Sequence, residues 1–236
     1  MNAILVRVGA DQSMEGGAWN GPVDEISGVF VYVAIPEPRP VHDGLERPYN
    51  LLSPALGKYG ILLPPHLETR HMHLDPDFEH LTYGDRGERG KQIRRHLNVG
   101  DLVVFYAGLR PLARATPLVY ALIGFLKVRE LIRATQISRE ARHINAHSRR
   151  ILDSAEEDLV VLGEPGVSGR LTRCLPIGEY RDGAYRVRQE ILTEWGGLSV
   201  KDGYLQRSAR LPRFLEPGRF VRWLDNQRPT LMQANN

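Results

Sequence analysis

The sequence predicts an α+β protein built on a mixed or antiparallel sheet, and three observations carry that expectation. Two apolar runs rich in β-branched and aromatic residues, 101–109 and 118–131, follow one another across the short connection RPLARATP, as neighbouring strands do. Shorter runs of the same kind recur at 3–8, 28–35, 158–163 and 170–177. Between them lie segments of helical character at 87–97, 135–152, 187–195 and 217–226. A chain of 236 residues without an internal repeat or clear linker fits a single domain over 1–236, with an insertion at about 36–85 and a C-terminal helical extension at about 187–236.

Each element has a local cause. AILVRV at 3–8 runs into Gly9-Ala10-Asp11, and GGAWNGP at 16–22 is a glycine-rich loop. GVFVYVAI at 28–35 reads as a strand stopped by Pro36, Pro38 and Pro40. From 36 to 85 proline, glycine, histidine and aspartate recur with little periodicity, which predicts a long ordered insertion with a short helix near 50–59. Residues 87–97 form a basic helix, and Gly100-Asp101 turns into the strand that follows. In TQISREARHINAHSRRIL the apolar positions Ile137, Ala141, Ile144, Ile151 and Leu152 approach the 3.6-residue period of an amphipathic helix. Pro217 suits the first turn of a closing helix, and the terminal QANN is expected to fray.

Composition narrows the class. One cysteine, Cys174, excludes an internal disulfide and fits a reducing cytoplasm, where a buried thiol is the simplest reading of a mid-strand position. No stretch is long and apolar enough to span a bilayer, and no signal peptide is visible, so a cytoplasmic protein without membrane contact is expected. The net charge is +3 but uneven: 5 Lys/Arg against 11 Asp/Glu up to Gly84, then 26 against 17. Arginine supplies 27 of the 31 basic residues, and a planar guanidinium suits phosphate and base edges. The basic later part points to an anionic partner, nucleic acid first; genomic base composition is the competing explanation of the arginine bias.

Four clusters could carry chemistry. In His71-x-His73-x-Asp75-x-Asp77 the alternation puts two imidazoles and two carboxylates on one face if the segment is extended. Such a set can bind a divalent metal or act as acid and base, and Asp75-Pro76-Asp77 can equally be a turn whose carboxylates accept backbone N–H groups. In Leu81-Thr82-Tyr83-Gly84-Asp85 the Tyr83 ring offers a stacking face and Gly84 a close backbone approach, or the segment simply caps the next helix. His143 and His147 stand four apart around Asn145, without the glutamate of a zinc-protease helix; Arg149 beside them favours an anion-facing surface. Asp11, with Trp19 on the glycine loop, could rim a pocket, although that loop matches no nucleotide-phosphate cradle; Ser168 and Arg170, on a similar small-residue loop, could meet a phosphate, with a plain turn as the alternative.

Gly100-Asp101-Leu102-Val103-Val104-Phe105-Tyr106-Ala107, returning through Tyr120 to Val128 with Gly124 inside, resembles the strand pair of PUA-like domains such as the EVE, YTH and ASCH families. A longer match resembles the third of the nucleotide modification associated domain families. It runs through Gly9-x-Asp11, Gly17-x-Trp19, Leu74-Asp75-Pro76-Asp77-Phe78, Thr82-Tyr83-Gly84-Asp85, Asn145-Ala146-His147 and Ser168-x-Arg170-Leu171. The resemblance implies a PUA-like mixed β-barrel with flanking helices, and a link to phage and bacterial systems that handle modified DNA bases. Two functions follow from the residues. One is a binding module in which Trp19, Tyr83 and Tyr106 stack on a flipped or modified base while Asn145, Arg149 and Arg170 hold it or its phosphates. The other is an enzyme on a base or nucleotide with Asp11 or Asp75 as base and His71, His73 or His147 as acid, with or without a metal. No cofactor and no definite metal ligand set is assigned by sequence.

Overall fold

Alternation along residues 102–109 sets the architecture. Val103, Phe105, Ala107 and Leu109 face one apolar layer, while Leu102, Val104 and Tyr106 face another. Residues 3–6 divide the same way, Ile4 and Val6 to the first layer and Ala3 and Leu5 to the second. A strand buried on both faces is the centre of a layered α/β molecule, and a computed structural model describing residues 1–113, 117–206 and 208–236 shows that arrangement.

The strands in chain order are β1 (Ala3–Arg7), β2 (Pro22–Val23), β3 (Ile35–Pro36), β4 (Met72–His73), β5 (Thr82–Asp85), β6 (Leu102–Pro111), β7 (Val119–Arg133), β8 (Leu159–Gly163), β9 (Gly169–Pro176), β10 (Gly178–Arg181), β11 (Ala184–Val187) and β12 (Leu231–Met232). The helices are α1 (Ser53–Gly57), α2 (Gly87–His96), α3 (Ala146–Arg149), α4 (Gln189–Glu194) and α5 (Pro217–Asn226). β1 and β2 pair with β6 in parallel, whereas β6–β7, β7–β8, β7–β9, β5–β8 and β9–β12 are antiparallel. The sheet is therefore mixed. The pairs β3–β4 and β10–β11 stand apart from it.

Among the described residues no pairing closes this sheet into a barrel. The reason lies in β7, which is long enough to take two partners on one edge. β9 lies along its first half and β8 along its second, with register shifts between Leu122 and Gly124 and between Val128 and Glu130. The two wings diverge and end on β12 and β5. At the other side the free edge of β1 is covered by residues 212–214, since Leu5 donates to the Pro212 carbonyl and Phe214 to that of Ala3. Gly124 makes the close approach expected of it: a Cβ there would stand 2.5 Å from Phe78 and 2.6 Å from the Gly169 carbonyl oxygen. Phe78, fully buried, packs edge-on against Tyr32 and Phe105, a burial that stabilises by about 1.5–3 kcal/mol.

Several expectations change. Residues 28–34 form no strand, although 30–34 are buried, because their backbone groups go singly to separate partners. Val31 donates to Pro22, Ala10 donates to Val33, and the Asn236 side chain brackets Tyr32. The amphipathic helix over 135–152 is instead two short 3-10 turns, Ala134–Gln136 and Arg139–Ile144, followed by α3. Asn145, extended at φ −148 and ψ 150, breaks it because its side chain caps the next turn. The terminal QANN is not frayed: Asn235 accepts from the Phe78 N–H and donates to Asp77. The β10–β11 hairpin turns on Asp182-Gly183, both at positive φ, a legible two-residue hairpin signal. Of the connection RPLARATP, residues 114–116 lie outside the described residues, as does Arg207 in GYLQRSARL. Among the described residues no helix is long and apolar enough to cross a membrane.

Candidate active site

The floor of a cleft of about 200 Å³ is built by three segments far apart in sequence. His73 ends β4, whose pairing to β3 sets Ile35 opposite it. Asp75 follows two residues later, just before a cis peptide to Pro76, while Leu74 and Phe78 anchor the segment in the core. β5 runs beside it, and the Gly84 N–H donates to Asp75 Oδ1 at 2.6 Å. His147 arrives on α3. Its backbone N–H donates to Asn145 Oδ1 (2.9 Å), and Asn145 Nδ2 donates to Asp75 Oδ1 (3.0 Å) and Thr82 Oγ1 (3.1 Å). Asn145 thus ties all three segments together. Gly84 is required by the close packing, since a Cβ there would lie 2.2 Å from His147 Cδ2.

Both imidazoles are held from behind by carboxylates. His73 Nδ1 lies 2.5 Å from Glu37 Oε2, and His147 Nδ1 lies 2.5 Å from Asp158 Oδ2. Arg150 spans the two carboxylates, with Nε and Nη2 each 2.9 Å from Glu37 Oε1 and Nη1 3.6 Å from Asp158 Oδ2. Burial alone would raise the Glu37 carboxyl, but the hydrogen bond with His73 and the Arg150 charge bring it down to about 2. Asp158 is lowered too, burial being outweighed by its contact with His147 and by Arg150. An ionised carboxylate only accepts, so Nδ1 of each ring carries a proton. Burial drives His73 down to about 4 despite Glu37, so at neutral pH its Nε2 presents a lone pair. His147 is oriented in the same way by its Nδ1 contact with Asp158.

These two Nε2 atoms face Asp75 Oδ2, at 3.9 Å from His73 and 3.6 Å from His147, and the rings meet edge-on with centroids 5.0 Å apart. Burial pushes the Asp75 carboxyl up to about 7, against His147, the Gly84 N–H and Asn145, which all favour its charged form. The three groups are nearly inaccessible, their side chains 5–8% exposed, and they lie close enough to hold one metal ion. Over them the cleft opens between Ile35 and Pro38 and a basic wall of Arg7, Arg86 and Arg89. The Tyr83 phenol on that wall donates to Asp85 at 2.5 Å and accepts from Arg89 at 2.9 Å.

The residues singled out by sequence divide. Asp75, His73, Tyr83, Asn145 and His147 meet at or behind this cleft. Asp11 lies behind its rim, 3.5 Å from Arg7, and its Oδ1 accepts from the backbone and hydroxyl of Ser13. Trp19 lines a different cavity with Tyr59 and Arg110. Tyr106 is buried in the second apolar layer and donates to the Leu205 carbonyl at 2.6 Å. Arg149 is buried against Asp77, 2.5 Å away. Arg170 is buried over the Phe30 ring, 4.0 Å from its centroid, and donates to the Phe30 carbonyl. His71 and His143 are exposed, and His143 packs against His80. Asp77 closes the turn expected of it: it accepts from the Glu79 and His80 backbone, Asn235 and Arg149, which leaves its oxygens occupied. Cys174 is buried, and burial lifts its thiol to about 12.

Sequence reasoning missed Glu37 and Asp158, which orient the imidazoles, and Arg7, Arg86 and Arg89, which form the wall; Arg150, next to Arg149, spans the two orienting carboxylates instead of facing an external anion. Glu37 stands between prolines and Asp158 opens an apolar strand, so each was a charged residue in a setting that buries it. The sequence model of the family described as nucleotide modification associated domain 3 matches residues 2–225. No curated protein matches the chain, and no solved structure does.

Proposed function

Because the chain belongs to the nucleotide modification associated domain 3 family, we propose that it is an enzyme acting on a nucleotide or nucleic-acid strand. The reacting group sits over His73, Asp75 and His147. Arg7, Arg86 and Arg89 meet the phosphates, as guanidinium groups suit phosphate oxygens. One observation carries this reading: two imidazoles, each backed by a carboxylate, point at a third carboxylate on the floor of a cleft. A domain that only reads a base has no use for that arrangement. Such a domain needs open aromatic faces, yet Tyr83 and Tyr106 are buried and Trp19 lies in a separate cavity.

DNA carrying modified bases is the first polymer to test, in the cytoplasmic setting of phage or bacterial base modification that the sequence resemblance suggests. The strand pair entered through Gly100-Asp101 supports a PUA-like ancestry for β6 and β7. The test incubates the purified protein with modified DNA, unmodified DNA, RNA and free nucleotides at low salt with a mixture of divalent cations. Products are read by nucleoside mass spectrometry. Turnover that falls by about a hundredfold or more in Asp75→Asn but survives in His71→Ala supports the enzyme. Tight, salt-sensitive binding with no mass change in any arm sinks it in favour of a reader.

A further inference from the structure

The geometry points to a mononuclear metal site in which His73 Nε2, Asp75 Oδ2 and His147 Nε2 bind one zinc-class divalent ion, leaving a coordination position open toward the cleft. This reaches beyond the proposed enzyme reading and stands independently of the substrate.

The first argument is donor counting. Glu37 and Asp158 occupy both Nδ1 protons, and Asp75 Oδ1 accepts from Gly84 and Asn145. What remains is Nε2 of each ring and Asp75 Oδ2, facing one another in a buried space, with no donor from another of the described residues aimed between them at bonding distance. Three ligating atoms converging in a buried space, with no neighbouring residue donating between them, suit a bound cation. The second argument is charge. Behind the floor the carboxylates of Glu37 and Asp158 share the guanidinium of Arg150, so with Asp75 three carboxyl groups gather around one directly contacting cation, a setting that favours a divalent ion.

The third argument is the outer layer. Imidazoles that bind a metal through one nitrogen commonly donate the other N–H to a carboxylate, which fixes the tautomer and raises ligand basicity. Here both rings have that partner, and Asn145 and Gly84 orient the ligand carboxylate in the same way. The neighbouring group Asp77, Glu79 and His80 shows the contrast: its central carboxylate is filled by protein donors and paired with Arg149, so it offers no comparable vacancy.

Donor identity and spacing choose the class of ion. Two nitrogen ligands disfavour magnesium and calcium, which take oxygen. A tetrahedral zinc site with bonds of about 2.1 Å sets its donors about 3.4 Å apart, and an octahedral one about 3.0 Å. The separations of 3.6 and 3.9 Å need only a small contraction to reach the tetrahedral value. Three protein ligands with a fourth position open is the pattern of catalytic rather than structural zinc.

The test uses the whole protein, stripped with chelator and titrated with Zn²⁺, Mn²⁺ or Mg²⁺. One Zn²⁺ per chain is expected, bound more tightly than Mn²⁺ and much more tightly than Mg²⁺. Asp75→Ala and His147→Ala should weaken Zn²⁺ about a hundredfold or more and Glu37→Gln about 10–100-fold, while His71→Ala leaves it unchanged. A second measurement on the unmutated protein guards against variants that fail to fold. With Co²⁺ bound, two exchangeable proton resonances, one from each Nδ1–H, should be strongly shifted. Absence of both resonances, no Zn²⁺ uptake, or uptake that survives Asp75→Ala and His147→Ala overturns the site. Metal uptake without nucleotide turnover would remove the enzyme reading alone, and turnover indifferent to chelation would remove the metal alone.

Discussion

Replacing Gly84 with alanine adds one methyl group at the tightest contact of the site. The glycine's φ lies outside the left-handed region, so the backbone accepts alanine and the effect is steric. The new Cβ would stand 2.2 Å from His147 Cδ2, 2.7 Å from Asn145 Oδ1 and 2.8 Å from His147 Cγ. Ordinary contact begins near 3.4 Å, so something must move by about 1 Å. His147 cannot yield freely, being held by Asp158 on one side and its own capped backbone on the other. β5 is equally fixed by its four-residue ladder to β8. Overpacking of this kind costs about 1–3 kcal/mol, and a 1 Å misplacement of a reacting group costs about a hundredfold in rate. Chemical denaturation and a turnover or metal-affinity assay read the two effects separately. Gly57→Ala is the control, because a Cβ there meets nothing within 4 Å, and stability should hold or rise slightly. If Gly84→Ala were as harmless as Gly57→Ala in both assays, the packing of His147 against β5 would be wrong.

Three further outcomes are expected. Arg149→Ala strands the fully buried Asp77 carboxylate and should cost about 3–5 kcal/mol in urea denaturation; a loss under 1 kcal/mol would show that the pair is not desolvated. Asp77 has a folded pKa below its ordinary value, burial being overcome by His80, Arg149 and Asn235. Its stabilisation is therefore present above the unfolded pKa of about 3.9 and is lost as pH falls through the lower folded value. Asp77→Asn should flatten that part of the acid unfolding profile while lowering stability near neutral pH. Asn236→Ala leaves the Tyr32 backbone N–H and carbonyl, both bracketed by this side chain, without their partners; a destabilisation of about 1–3 kcal/mol is expected, and none would mean water replaces the bracket.

The sequence made the sheet legible where alternation was strong, as in 102–109, and the spacing of His73 and Asp75 was legible as chemistry. The partners of those residues were not. Glu37 lies 36 positions before His73, and Asp158 reaches His147 only because Asn145 turns a pattern of helical period into a cap. Periodicity could not reveal that break, since the apolar positions persist through it. Nor could composition separate an aromatic face offered to a base from one packed in a core: Tyr106 and Tyr83 are sequence-equivalent candidates for stacking and both are buried. Arg149 and Arg170 likewise contribute to the basic count but are spent inside the fold. Among the described residues the recognised strand pair does not close into the expected barrel, because β7 directs its two later partners to different halves of one edge.

The most direct measurement is anomalous diffraction at the zinc absorption edge from crystals of the protein supplied with Zn²⁺. A single peak within bonding distance of His73 Nε2, Asp75 Oδ2 and His147 Nε2, with both Nδ1 atoms still on Glu37 and Asp158, is the expected result. A peak only at other residues, or a fully zinc-supplied crystal with no peak at the floor of the cleft, would contradict it.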